Sequence, residues 1–598
     1  MIQSHYIKPN DTTRVPQRFI YLDTESITHA EGITDVQTWR CGVTAFDGWD
    51  DHKKEAKDVE WDRWTNPDDL WNSVSKRCRR RCRTVLVAHN LAFDLRISRA
   101  FYLLPALGWS ISRLGLHEKA MSVTWKREDG ATLVCIDSLS WLPMGLDKIA
   151  QTIGTQKEPL PANDSLEGWW ERCEQDVRIL RDACRQLWSM VTKMGLGNWQ
   201  RTGAGMSWAN WRHLHYTHRV VVHDDPEARK AEIAASYTGR CEAWQWGRFV
   251  GGPYTEWDLP LAYPRVARDN WVPVALLGRY STPKLSSIFP LSDGQAWLCK
   301  ATVNLIDPIL PVQSGEGFHW PIGEVSGWYW DVELNAAREA GAEIVLEAAY
   351  RYRTQPALRD WATWVIGVAE GTEPGFTSIQ RAAIKHWGRA LIGRFAVKYR
   401  TWDYWGEGCN GEVGLNTIID RETGESTEVL LLGGESYIAS DELYGADACP
   451  FIQGYIQAVA RVRLWEIIRT AGAKEVVYLD TDSVITTPLG SKRLRAATRA
   501  GDLYGLRPKR VIQAMTIYGP RQLVIDGANR LAGIPSGATH VEALKYTGQR
   551  WEGVEAALGA NRADSVVLTP VTWKVSGVDR RRTHLINGLT IPHELVAS

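Results

Sequence analysis

The stretch 476–486, Val-Val-Tyr-Leu-Asp-Thr-Asp-Ser-Val-Ile-Thr, constrains the fold more than any other part of this 598-residue chain. Two runs rich in β-branched and aromatic residues flank a short acidic turn, which predicts a hairpin with Asp480 and Asp482 at its tip. The apolar arms need a sheet to bury them, while the tip carries two carboxylates separated by one residue. Such a pair repels itself unless something compensates the charge. Two readings stay open here: a solvated turn, since Asp is common in turns, or a ligand pair for a divalent cation, which suits hard oxygen donors.

The rest of the chain is long enough to require several domains, each with its own core. A hydrophobic content of 44% and a charged content of 23% are ordinary for a globular protein. The start, Met-Ile-Gln-Ser-His-Tyr-Ile-Lys-Pro, lacks the apolar region of a signal peptide, and no run approaches a membrane span. A cytoplasmic protein with no membrane partner is therefore expected, and the ten scattered Cys read as reduced thiols. The 70 basic residues balance the 70 acidic ones. That argues mildly against a nucleic-acid binder without excluding one, because a local patch suffices and metal-site carboxylates offset Lys and Arg in the count. The 30 Trp can serve as core or as base-stacking surfaces.

Near the start, 19–26 is an apolar strand ending in Asp23 and Glu25, whose alternation places both carboxylates on one face. Residues 85–95 follow the same plan and lead into Asn90-Leu91-Ala92-Phe93-Asp94; 132–139 is a further strand. The segment 171–187 reads as an amphipathic helix carrying Asp176, with Val177, Leu180, Cys184 and Leu187 as its apolar stripe. Asp23, Glu25, Asp94 and Asp176 are the inventory that holds two divalent ions about 3.5–4 Å apart for phosphodiester hydrolysis. Asp23-Thr24-Glu25, Asn90 to Asp94 and Asp176 resemble the three motifs of a DEDD-type 3′–5′ proofreading exonuclease. Asn90, Phe93, Ser138, Leu139 and Lys148 are similar to single-strand-contacting positions of protein-primed phage DNA polymerases. Arg172 stands where that family has a Tyr that orients the attacking water. The basic run 76–83 reads as a solvated helix end more readily than as a nucleic-acid patch.

Downstream, 188–235 is Trp-rich and polar and is expected to connect two domains; Tyr237 and Gly239 resemble the family's Tyr-x-Gly-Gly/Ala joint, with Arg240 at the second Gly. Glu256-Trp257-Asp258-Leu259-Pro260-Leu261-Ala262-Tyr263-Pro264 resembles motif A (256–264) of family B DNA polymerases. The resemblance implies Asp258 and the Leu259 carbonyl as metal ligands and Tyr263 as the ring beneath the sugar. A helical patch is expected near 332–352. A helix is also expected over 376–395, with Ser378 as its N-cap and Arg381, Lys385 and Arg389 on one face. This stretch resembles motif B (381–393) with Lys385 and Gly393 in register, while Arg389 and Ile392 replace the family's Asn and Tyr. The implied role is binding of the incoming nucleotide, with altered discrimination where Ile392 lacks the ring. A hairpin is expected over 416–437 and a long helix over 452–471; then Tyr478-Leu479-Asp480-Thr481-Asp482-Ser483 matches motif C (478–483) in full. Arg521 stands in for a DNA-contacting Lys of the family.

Six motifs in this order resemble a family B DNA polymerase with a proofreading domain. The resemblance implies an α/β and α+β multidomain chain: a ribonuclease H-like exonuclease domain (1–190), a connecting segment (191–245), palm and fingers with insertions (246–520) and a thumb (521–598). It implies two Mg2+ or Mn2+ ions per active site, with Asp258 and Asp482 as the main polymerase ligands and Asp480 auxiliary. Asp23, Glu25, Asp94 and Asp176 would hold the exonuclease ions. Primer-template DNA and dNTPs are the implied partners of a monomer, in the host-cell cytoplasm for a viral protein. The intervals from Asp258 to Lys385 and from Lys385 to Asp482 leave room for the insertions by which protein-primed polymerases grip a terminal priming protein and displace a strand. The competing readings are a polymerase of another kind, an exonuclease with a degenerate polymerase half, and a non-catalytic DNA-binding replication factor.

Overall fold

A computed structural model describes residues 3–50, 55–56, 58–116, 121–162, 164–407, 412–422, 424–440, 443–501, 503–542, 544–575, 579–586 and 588–595. Two large sheets organise it. The first is mixed. Strands Phe19–Glu31, Arg83–Ala88 and Thr132–Asp137 run parallel to one another at its centre, and Ser122–Arg127 and Trp109–Gly115 complete one side. The central strands are near-continuous apolar runs because both faces are covered. One face packs on helices Pro67–Arg77, Leu91–Ile97 and Ala100–Ala106, and the other on Leu146–Ile153 and Leu166–Lys193. The long helix forms as its periodicity predicts: Ser165 caps it, and Cys173, Asp176, Val177, Leu180, Cys184 and Leu187 are its buried stripe.

The second sheet has seven strands, in the order Cys241–Ala243, Val476–Asp480, Ser483–Thr486, Gly247–Asp258, Arg507–Gly519, Gln522–Ile525 and Ala528–Leu531. The expected 476–486 hairpin forms its second and third strands, beside the central Gly247–Asp258. Helices Pro450–Ala471 and Pro488–Ala500 pack on it. Between the large sheets in sequence lie a five-stranded sheet, which includes Val272–Ser281 and Glu343–Gln355, and a four-stranded sheet, which includes the expected hairpin as Gly414–Ile419 and Ser426–Leu432. Among the described residues no helix is long and apolar enough to cross a membrane, and the nine described Cys are free thiols.

Two local expectations change. The helical patch near 332–352 is a helix only over Asp331–Glu339; from Glu343 the chain is a strand, paired on both sides with Val272–Ser281 and Gln295–Leu305. Sheet pairing on two edges outweighs the helical spacing of its Ala and Leu residues. The cap of the Ser378–Arg394 helix is Thr377, one residue early, because the Gln380 side chain accepts from the Thr377 N–H at 2.9 Å. The Trp-rich stretch after 188, expected to connect two domains, packs its rings inside the molecule. Trp188, Trp199, Trp208 and Trp211 are buried. Trp188 meets Trp141 at 4.7 Å and Trp199 at 5.6 Å between ring centroids, and Trp141 reaches Trp387 at 5.9 Å. This aromatic core joins the first sheet to the Ser378–Arg394 helix, and the Ser207 hydroxyl donates to the Trp387 carbonyl at 3.1 Å.

The segment 521–598 is also distributed over the molecule. Its first two strands extend the second sheet, while Thr539–Glu542, Lys545–Trp551 and Val566–Lys574 extend the first, Val566–Leu568 pairing with Asp35–Gln37. Arg582 is 3% exposed and donates to Glu242 at 2.9 Å. The run 76–83 behaves as a solvated helix end: Arg77 pairs with Glu60 and Asp62, and Arg79, Arg80 and Arg81 are exposed.

Removing one ring from the aromatic core should loosen the junction. Trp199→Ala is expected to cost about 3–5 kcal/mol, read as a lower denaturant midpoint; an unchanged midpoint would show that the ring contacts are not structural.

Candidate active site

The hairpin tip is a tight two-residue turn. Asp480 and Ser483 are register partners, and Thr481 takes the left-handed conformation (φ 58°) that such a turn demands. Its amide donates to the Arg240 carbonyl at 2.7 Å, and that of Asp482 to the Asp480 carbonyl at 2.6 Å. Gly239 passes directly over the tip: a Cβ there would lie 2.6 Å from Thr481 Cγ2, so only glycine permits this approach.

The neighbouring strand delivers the third carboxylate. Asp258 is the register partner of Ser483, and the Leu259 amide donates to the Asp482 carbonyl at 2.8 Å, pinning the strand end to the hairpin. Leu261 then adopts a left-handed conformation (φ 54°), an uncommon state for a branched residue, and starts the helix Ala262–Asp269. That turn buries Tyr263 near Asp482; burial raises the phenol pKa, with a smaller contribution from the Asp482 charge that Arg461 opposes. The opposite wall is the Ser378–Arg394 helix, held by a second close approach: a Cβ on Gly388 would lie 2.8 Å from Val365 and 3.2 Å from Pro264.

Burial, aided by the negative charge of Asp258, pushes the Asp482 carboxyl up to about 6, while Arg389 and Lys509 oppose the shift. Asp480 is more exposed and faces Arg521, whose Nε lies 3.7 Å from Asp480 Oδ1. Lys385, Arg389 and Gly393 are exposed on the helix. Arg381 is tied down, donating to the Val368 and Phe376 carbonyls at 2.8 and 3.2 Å. Ile392 departs from expectation: its side chain is 2% exposed and packs in the core with Trp387 instead of lining an open pocket, as its apolar bulk favours. Tyr237 is buried and stacks on Tyr329.

Sequence reading missed the cations under this site. Lys509 reaches Glu256 at 3.1 Å and Asp258 at 3.4 Å; Arg510 and Arg530 also pair with Glu256. Burial pushes Glu256 up, but these three cations outweigh it and hold the carboxyl below its usual value. The basic run Arg507-Pro508-Lys509-Arg510 was the available signal. Strand pairing with Gly247–Asp258 gives it meaning.

The second carboxylate cluster lies on the first sheet. Asp23 and Glu25 point from one face of their strand towards Asp176 on the Leu166–Lys193 helix, and ligand atoms of these three all lie within 4.8 Å of one another. Asp94 is held on the other side of the strand, accepting from the Thr24 hydroxyl at 2.8 Å, though it is near enough to raise Asp23. Burial and mutual repulsion push Asp23 well above the carboxylate range; burial likewise raises Glu25, Asp94 and Asp176. Two cations oppose this: Lys157 Nζ lies 2.6 Å from Asp176 Oδ2, and Arg172 Nε lies 3.0 Å from Glu25 Oε1. Lys157 gave no sequence signal, since it belongs to no periodic pattern. The buried Oδ1 of Asp176 has no partner among the described residues, which together with three convergent hard oxygens fits a divalent ion.

Around this cluster, Asn90 (φ 70°) precedes the helix Leu91–Ile97, and the Asn90 and Leu91 amides donate to Asp137. Phe93 meets Trp551 edge-on at 5.8 Å, and the buried Ser138 hydroxyl lies 2.8 Å from His89 Nδ1. Leu139 is half-buried, and Lys148 is exposed, reaching only Gln151 at 3.4 Å.

No family model matches the sequence, and no curated protein matches it. Among solved structures, the phi29 DNA polymerase ternary complex with primer-template DNA and incoming nucleotides is similar, with a TM-score of 0.64 at 14% identity over 94% of this chain and 100% of that one. Phi29 DNA polymerase complexed with single-stranded DNA gives 0.62 at 15% identity with the same coverage. The chain therefore has the phi29 DNA polymerase fold.

Two expectations follow from the electrostatics. Because folding raises the Asp482 pKa, its ionisation opposes folding above about pH 6. Asp482→Asn should raise metal-free stability by about 1–3 kcal/mol at pH 8 and change it little near pH 4, measured by denaturant titration at both pH values. Arg172 lowers the Glu25 pKa, so Arg172→Ala should move the acid limb of any 3′-nuclease activity to higher pH; an unmoved limb would break that link.

Proposed function

We propose that this chain, carrying the phi29 DNA polymerase fold, is a DNA-directed DNA polymerase that adds dNMP to a primer 3′-hydroxyl and removes mispaired ends by 3′–5′ hydrolysis. The observation that carries this reading is the meeting of Asp258 and Asp482, from segments far apart in sequence, at one end of adjacent antiparallel strands. Tyr263 flanks them, and the Arg389 charge reaches Asp482.

Asp258, Asp482 and the Leu259 carbonyl would hold two divalent ions, Mg2+ or Mn2+. Bound there, the ions supply a lowered pKa for the primer hydroxyl and neutralisation of the leaving pyrophosphate. The protein's own part is positioning and charge. Asp482 must be ionised to act, which its raised pKa permits at neutral pH and hinders below about 6. Asp480, turned towards Arg521, has the auxiliary place. Lys385 and Arg389 present free cationic heads to a triphosphate from the helix opposite, while Arg381 anchors that helix. Tyr263 is the ring that would underlie the sugar and exclude a 2′-hydroxyl. Gly239 borders the tip where a template strand would pass, with Arg521 beside Asp480 and the buried Tyr237 backing this segment.

Asp23, Glu25, Asp94 and Asp176 would hold the ions of the hydrolytic site, with Asn90, Phe93, Ser138, Leu139 and Lys148 contacting the frayed strand. Lys157 and Arg172 moderate the repulsion of those carboxylates before ions arrive. Primer-template DNA and dNTPs are the substrates of a monomeric enzyme. The five-stranded and four-stranded sheets would serve as insertions that grip a terminal priming protein and assist strand displacement. The domain assignment is that of the sequence reading, with 521–598 contributing strands to both large sheets and to the five-stranded one.

Primer extension and 3′-degradation separate the two activities. Asp482→Asn should reduce extension by orders of magnitude and spare degradation, and Asp23→Ala/Glu25→Ala should do the reverse. Unaltered extension by Asp482→Asn would sink the polymerase reading.

A further inference from the structure

One cation beside the Asp23–Glu25–Asp176 cluster is placed there by helical periodicity. Arg172 and Asp176 stand at i and i+4 on the helix Leu166–Lys193, so they share the face that meets the Asp23–Glu25 strand. Burial raises both Glu25 and Asp176, and the Arg172 charge opposes it at each, so the guanidinium lies near both acids. Two of its three nitrogens are fixed. Nε lies 3.0 Å from Glu25 Oε1, and Nη1 donates to the Glu158 carbonyl at 2.7 Å. Glu158 follows Lys157, whose Nζ pairs with Asp176, so Arg172 also holds the segment that delivers Lys157.

The remaining nitrogen, Nη2, has no protein partner among the described residues and is not sealed from solvent. The side chain as a whole is 14% exposed. Its rotamer freedom is already lost to two anchors, so a ligand meeting Nη2 costs little further ordering.

Chemistry narrows that ligand. A guanidinium donates hydrogen bonds and accepts none, so Arg172 cannot take a proton from an attacking water. It can pair with an anionic oxygen, and its planar fork matches phosphate. Hydrolysis at a 3′ end joins the oxygen of water to phosphorus and breaks the bond from phosphorus to the 3′ oxygen of the preceding nucleotide. The water gives up one proton and the departing 3′ oxygen takes one up. The products are a 5′-mononucleotide and a shortened strand with a 3′-hydroxyl. Throughout, the non-bridging oxygens carry negative charge close to the carboxylates, where a fixed donor is most effective.

We propose that Arg172 is a catalytic residue of 3′–5′ hydrolysis, with Nη2 binding a non-bridging oxygen of the scissile phosphate. The inference rests on the hydrolytic half of the proposed function and assigns a protein ligand for the phosphate within it.

A methylphosphonate linkage removes the charge of a single phosphate and tests the contact without turnover. Binding of labelled single-stranded oligonucleotides is measured by anisotropy in EDTA. One is entirely phosphodiester, another has methylphosphonate at the 3′-terminal linkage, and a third has it well inside the strand. The preference for the charged terminal linkage should be greater in wild type than in Arg172→Ala by about ten-fold, the effect of one charge-assisted hydrogen bond. At the inner linkage the two proteins should agree. Arg172→Gln, which keeps the side chain's length and a donor, should behave as Arg172→Ala does. With divalent ions supplied, kcat for degradation should fall about 100-fold in Arg172→Ala, read on the alkaline plateau where Glu25 is ionised in both proteins. Equal preferences at the terminal linkage, an unchanged plateau kcat, or a uniform loss of binding to all the oligonucleotides would overturn the assignment. A wild-type chain that neither binds nor degrades single strands would instead remove the hydrolytic reading itself.

Discussion

Mutual repulsion among buried carboxylates is the constraint on which the rest of this structure depends. Neither cluster would persist from local preference, since each acid placed in a low-dielectric setting raises the cost of the next. The fold answers with cations drawn from other segments. Lys509, Arg510 and Arg530 surround Glu256 beneath Asp258, and Arg389 faces Asp482 from the opposite helix. Lys157 and Arg172 do the same for Asp176 and Glu25. Charge is offset but not cancelled, which leaves the oxygens available to a divalent ion.

Keeping those groups in place takes contacts that leave no slack. The Asp480 hairpin is pinned by a backbone bond to Arg240, overlain by Gly239 and joined to the Asp258 strand through Leu259. Arg240 is itself held by Glu242, which also receives Arg582 from the last part of the chain. Both flanking arginines hold the Glu242 carboxyl down to about 2 against the opposing effect of burial. A buried charge network of this kind adds little net stability but defines one arrangement of the strands it joins. The C-terminal region thus contributes to the frame of one site, and through Val566–Lys574 it extends the sheet that bears the other.

Much of the candidate site was legible in the sequence because its chemistry is local. Strand-ending acids at Asp23, Glu25, Asp258, Asp480 and Asp482 stand at positions set by alternation and turn chemistry, which few residues decide. The helix bearing Asp176 and the hairpin over 414–432 were legible for the same reason. Less legible were residues whose meaning lies in a partner far along the chain. Lys157 is a single cation with no periodic context, and Lys509 and Arg582 lie in basic runs that do not show which acids they face. Ile392 reads as a pocket residue from its place in a motif, yet it is buried in the core. In the Trp-rich stretch, which rings would meet was not legible, because ring partners such as Trp141 and Trp387 lie in other segments.

By itself, the sequence determined the acids, their attachment to strand ends and one helix, and the order in which those elements follow. Only the tertiary structure decided which cations face them, which tryptophans meet in a core, and that 521–598 contributes strands to several sheets. The physical reason is range: periodicity and turn preference act over a few residues. Coulombic pairing and edge-to-edge strand pairing join segments hundreds of residues apart, and no local pattern records the partner.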